Sequence, residues 1–136
     1  MNLIRIGLAT LAAFVAYFAV GSVFFTIRGM RAEFAKYPAV YRSGEMMKSV
    51  MAPGMFGILL AIGAAALIFA RIHPAGAGIS AGLEFGLILA VFQLGSFVLH
   101  NYMNLNIGWR LAALQGIAYS AEWIMVGVVI SLVYRG

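Results

Sequence analysis

Four stretches of this chain are each long enough to cross a bilayer, and they carry almost no charge. Ile6 to Ile27 and Ser49 to Ala70 are each 22 residues without a single charged residue. At about 1.5 Å rise per residue, such a helix reaches roughly 33 Å, the thickness of a hydrocarbon core. A third stretch, about Ser80 to Leu99, holds only Glu84, and a fourth, about Arg110 to Tyr134, holds Arg110 and Glu122. None shows the period-two alternation of a membrane strand. The pattern predicts an all-α integral membrane protein: a four-helix bundle with spans at about 6–27, 49–70, 80–99 and 110–134, forming one transmembrane domain over 1–136. A cleaved signal peptide is the competing reading of the first stretch. Its apolar part would be ~7–15 residues and end in small residues, whereas this one ends Phe24-Phe25-Thr26-Ile27-Arg28. We therefore read it as a retained span.

Composition agrees. Hydrophobic residues make up 64% of the chain and charged residues 10%, against about a quarter charged in soluble domains. The absence of cysteine excludes disulfides, thiolate metal sites, iron–sulfur clusters and cysteine nucleophiles. The net charge of +5 comes from 9 Lys and Arg against 4 Asp and Glu. These cations stand at the edges of apolar stretches, so anionic lipid headgroups rather than nucleic acid are the expected partner.

The connections set the expected topology. His73-Pro74-Ala75-Gly76-Ala77-Gly78 reads as a turn. The longest connection, 28–48, interleaves Arg28, Arg31, Lys36, Arg42 and Lys48 with Phe34, Tyr37, Val40, Tyr41 and Met47. We expect part of it to lie in the headgroup layer, apolar side down, a plain solvated loop being the alternative. With Arg110, its face of the membrane carries six cations, and the opposite face carries three: Arg5, Arg71 and Arg135. The positive-inside rule then places the long loop in the cytoplasm and both termini outside, in a bacterial inner membrane.

In lipid, helices associate through close packing rather than hydrophobicity. Small residues at four-residue spacing supply packing faces: Gly57, Ala61 and Ala65 in span two, and Gly82, Gly86 and Ala90 in span three. Span four has Ala112, Gly116 and Ser120, and span one has Ala9, Ala13 and Ala16.

Glu122 has 11 uncharged residues before it, back to Leu111, and 12 after it, to Tyr134, which puts it near the bilayer midplane. An intramembrane acid needs a partner or a function. Gln115, Tyr119 and Glu122 share a face of span four, and Gln93, Ser96 and His100 share one of span three. An antiparallel hairpin about Leu105 would set these faces level, forming a polar groove. That groove would either bind a substrate or proton or act as interhelical hydrogen-bond glue. Glu84 lies nine residues before Gln93, rotated away, so no carboxylate dyad is expected.

The stretch "FVLHNYMNLNIGW", Phe97 to Trp109, reads chiefly as a membrane-surface turn: Asn101, Asn104 and Asn106 suit turns and caps, and Tyr102 and Trp109 suit the aromatic belt. His100 could ligate a haem or chlorophyll. Met47, Met51 and Met55, at i, i+4, i+8, could hold Cu(I), although such a stripe is more often packing. No metal or cofactor is expected. A phosphate-binding glycine loop, a zinc-protease motif and a nucleophile elbow are all absent from the sequence, which leans the reading away from an enzyme and supplies no catalytic residue.

The helix "TLAAFVAYFAVGSVFFTIRGMRAEF" and the hairpin "GLEFGLILAVFQLGSFVLHNYMNL", followed by an aromatic-bearing last helix, resemble small uncharacterised bacterial four-helix membrane proteins, families of unknown function. The resemblance implies an inner-membrane protein and brings no site residues. Membrane glutathione-transferase-like proteins also have four helices at this length. Arg42 and Pro53 match their pattern, but the intervening His, Asn and Glu are missing. Small multidrug transporters carry their essential acid in the first span, which is uncharged here. The expected function is a non-enzymatic membrane component, a small accessory, assembly or scaffold subunit that forms a homo-oligomer or joins a larger membrane complex. A small oligomeric transporter or permease acting around Glu122 is the alternative. A pigment- or cofactor-binding protein using His100 is a weaker one.

Overall fold

The computed structural model describes residues 2–135. It is all-α. Helix α1 is Leu3–Thr26, α2 Arg28–Phe34, α3 Gly44–Lys48, α4 Met51–Ile72 and α5 Ile79–Gln93. A π-helical turn, Leu94–Leu99, joins α5 to α6, His100–Asn104, and α7 is Trp109–Val133. Four helical stretches are long and apolar enough to cross a membrane: Leu3–Thr26, Met51–Ile72, Ile79–Asn104 and Trp109–Val133. They are spans one to four below. Their outward faces carry large apolar side chains, among them Val15, Phe56, Val91 and Phe92, which are 60–71% exposed. So continuous an apolar surface needs lipid rather than water around it.

Local chemistry explains the ends. The Asn2 side chain accepts from the Arg5 N–H and caps α1, and Ser43 caps α3 through the Met46 N–H. Pro53 falls in the first turn of α4, where its missing N–H costs nothing. Gly76, at φ 83°, makes the sharp turn into span three.

Span four is the centre of the bundle. It packs along spans three and one, and span one packs in turn against span two. Gly82 and Gly86 bring the backbone of span three onto that of span four. A Cβ on Gly86 would lie 2.7 Å from the Ile124 carbonyl oxygen, and one on Gly82 would lie 2.7 Å from that of Gly127. Gly116 receives Leu94 and Val98. Spans two and three meet at Phe69 and Phe85, whose ring centroids are 5.4 Å apart.

Span three differs from expectation at its end. Its helix continues to Asn104, so Asn101 and Asn104 are helical and the turn is confined to 105–108. Asn104 Nδ2 donates to the His100 carbonyl within that last turn. The π-helical turn adds a residue to the helical repeat, so positions before and after it no longer keep a 3.6-residue register.

The apolar side chains of residues 30–41 pack onto the protein, while Met46 and Met47 stay exposed. Met30, Phe34, Tyr37, Val40 and Tyr41 pack with Ile107, Leu111 and Ala118 into a second core at this end of the bundle. A docked partner surface was available at the start of span four, and closing it buries aromatic area that a headgroup layer would cover only partly.

Candidate functional site

The polar residues of span four are brought together, but they face span one and the docked loop. Gln115 is buried, and its Nε2 donates to the Tyr41 hydroxyl at 3.2 Å. Tyr119 packs between Phe25 of span one, tilted at 5.5 Å, and Phe97 of span three, edge-on at 5.4 Å between centroids. Glu122 is 2% exposed. Tyr17 of span one packs against neighbouring Trp123, with ring centroids 5.8 Å apart. Oε1 of Glu122 lies over Gly21, so that a Cβ there would collide with it. Oε2 is buried without a hydrogen-bond partner, as is the indole Nε1 of neighbouring Trp123. Among the described residues no Lys, Arg or His pairs with Glu122.

The span-three residues expected opposite do not join this group. Ser96 is exposed, and its hydroxyl donates to the Phe92 carbonyl of its own helix. His100 is exposed, and Gln93 is half-buried. The π-helical turn breaks the spacing that had aligned them. An open apolar groove of about 680 Å³ does run along the seam of spans three and four, between Leu94, Val98, Gly116 and Ser120, and Glu122 is not part of it. The polar site therefore belongs to the interface of spans one and four. Tyr17 and Gly21 complete it from span one. A Tyr and a Gly at i, i+4 in an uncharged stretch were the available signal, and they read as ordinary core.

Ala112 and Gly116 are buried at the contact with span three, and Ser120 is half-buried beside it. Gly57 and Ala61 of span two are exposed, with nothing within 4 Å of a Cβ placed at Gly57. Ala65 alone of that stripe is buried. The three methionines do not share one helical face. Met47 belongs to α3, Met51 and Met55 begin α4, and the turn at Ser49 and Val50 separates them.

No family model, no curated protein and no solved structure matches the chain. What it shares with four-helix bacterial membrane proteins is architecture.

The loop side holds a second polar group that the sequence reading missed. Glu33 of α2 is buried at 4%; its carboxylate meets Lys36 Nζ at 2.6 Å and Arg110 Nε at 3.2 Å. Tyr37 accepts from the Gly108 N–H at 2.8 Å. These contacts fasten the 28–41 segment across the start of span four. Lys48 pairs with Glu45 at 3.0 Å in the open, and Arg28, Arg31 and Arg42 are exposed around the rim.

Proposed function

We propose that this chain is a non-enzymatic integral component of a bacterial inner membrane, a small scaffold or accessory subunit that pairs with a second copy of itself through span two. One observation carries the reading. Gly54, Gly57, Ala61 and Ala64 all lie exposed on α4. Their i, i+3, i+7, i+10 spacing makes one continuous face. A Cβ at Gly54 or Gly57 would meet nothing within 4 Å. At Gly82 and Gly86, by contrast, a small-residue face is matched by another backbone. A linear small-residue face is self-complementary, so a two-fold axis along the membrane normal satisfies it with an identical copy. In this reading the long basic loop is cytoplasmic and both termini are outside. Arg28, Arg31 and Arg42, with Lys36 and Lys48, ring the membrane surface and meet anionic headgroups.

Because the chain has no cysteine, single cysteines report pairing cleanly. Gly57→Cys and Ala61→Cys should form an oxidised dimer in native membranes, and Val91→Cys, on the outer face of span three, should not. Equal cross-linking at all three positions, or none at the first two, would refute the pairing. Cross-linking of Gly57→Cys to a different protein would replace self-association with a heteromeric assembly.

A further inference from the structure

We propose that the apolar groove between spans three and four holds one acyl chain of an anionic phospholipid from the loop-side leaflet. The groove follows from how the two helices meet. At Gly82 and Gly86 they touch backbone to backbone. Nearer the loop, span three instead meets Gly116 with the side chains of Leu94 and Val98. The π-helical turn supplies Leu94, Val98 and Leu99 to one wall, and a π-helical segment inside an α-helix often marks a functional site. The opposite wall is made of Ala112, Ala113, Gly116, Ser120 and Ala121, none of them large enough to fill the space between. The resulting volume of about 680 Å³ falls within the ~300–1,000 Å³ of ligand pockets in general.

The two ends of the groove select its occupant. The inner end is Ile124, close to the middle of span four. The outer end is Tyr102 and Trp109, both exposed. From Trp109 to Ile124 is about 22 Å along the helix, the thickness of one leaflet with its headgroups. A helix of a second copy or of another membrane protein would continue past the midplane, whereas an acyl chain ends there.

The outer end suits a phosphate. Span four begins there, and its N-cap, Gly108, has no side chain to bond the first N–H groups of the helix, which favours an anion beside them. Arg110 follows, with its side chain 69% exposed, and Nε is the atom that meets Glu33. The paired Nη groups are left for a phosphate oxygen pair. Glu33 also holds Lys36, so the cluster keeps a net positive charge. Tyr102 and Trp109 flank it at headgroup level, where such rings are at home. The lipid site is independent of the pairing through span two.

Native mass spectrometry of the full chain tests this. The protein is reconstituted in vesicles of equal parts phosphatidylglycerol and phosphatidylethanolamine, released into mild detergent, and the lipids that stay bound are counted. One phospholipid per chain is expected, with phosphatidylglycerol exceeding phosphatidylethanolamine by about fivefold, the discrimination one cation supplies near a membrane surface. Ala113→Phe places a ring in the groove from an exposed position and should lose the lipid. Val91→Phe, on the outer face of span three, should keep it. Arg110→Gln should keep a lipid and lose most of the headgroup preference. No retained lipid in the wild type, equal retention in Ala113→Phe, or no headgroup preference in the wild type would overturn the assignment. So would oxidative cross-linking of Ala113→Cys to a second copy or to another protein, which would give the groove to protein instead of lipid.

Discussion

Gly86 of span three lies so close to Ile124 of span four that a Cβ on the glycine would stand 2.7 Å from the isoleucine carbonyl oxygen. The helices meet backbone to backbone, and the contact sets the register of the whole hairpin. Gly86→Ala should therefore destabilise the protein by about 1–3 kcal/mol, the usual cost of overfilling a packed site. Gly57→Ala, on the open face of span two, should leave the fold unchanged. Unfolding of the detergent-solubilised protein by denaturing detergent measures both.

Gly21 and Glu122 are coupled by space. Gly21→Ala drives a methyl group into the Glu122 carboxyl and should destabilise the interface of spans one and four. Combining it with Glu122→Ala should recover part of the loss, because the second change removes the atoms in the way. A double-mutant cycle reads the recovery as a non-additive term of about 0.5–3 kcal/mol.

The 28–41 segment should stay docked only while its fastenings hold. Arg110→Ala leaves the buried Glu33 carboxylate with Lys36 alone, at a cost of about 1 kcal/mol, the upper end for a pair whose cation stays largely in solvent. Limited proteolysis should then cut within 28–48 faster than in the wild type. Lys48→Ala, which breaks only the exposed contact to Glu45, should not change the cleavage rate of the docked part.

Tyr37→Phe isolates one hydrogen bond. It strips the acceptor from the Gly108 N–H, at a cost of about 1–3 kcal/mol for a donor left without a partner. Hydrogen exchange at the Gly108 amide should accelerate accordingly, and amides at the far end of span four should not change.

The four spans were legible because lipid demands long uncharged helices, and few other patterns satisfy that demand. The facing of span four was harder to read. It carries two stripes, one small (Ala112, Gly116) and one polar (Gln115, Glu122), and Gln115 lies about 100° around the helix from Gly116. Both cannot face span three. The glycines of span three take the small stripe, and the polar stripe is left for span one. That choice depends on how closely two backbones can approach, which periodicity does not encode. The π-helical turn at Leu94–Leu99 has no signal in hydrophobic spacing, and it displaced Ser96 and His100 from the expected face. Glu33 reads as one more charge in a basic loop until Arg110, 77 residues on, closes over it.

The central claim is self-association through span two, and native mass spectrometry of the protein released gently from its own membrane tests it most directly. The wild type should be a homodimer that becomes monomeric in Ala61→Leu and persists in a control such as Val91→Leu. A monomer in the wild type, or a stoichiometric complex with a different membrane protein and no second copy of this chain, would contradict it.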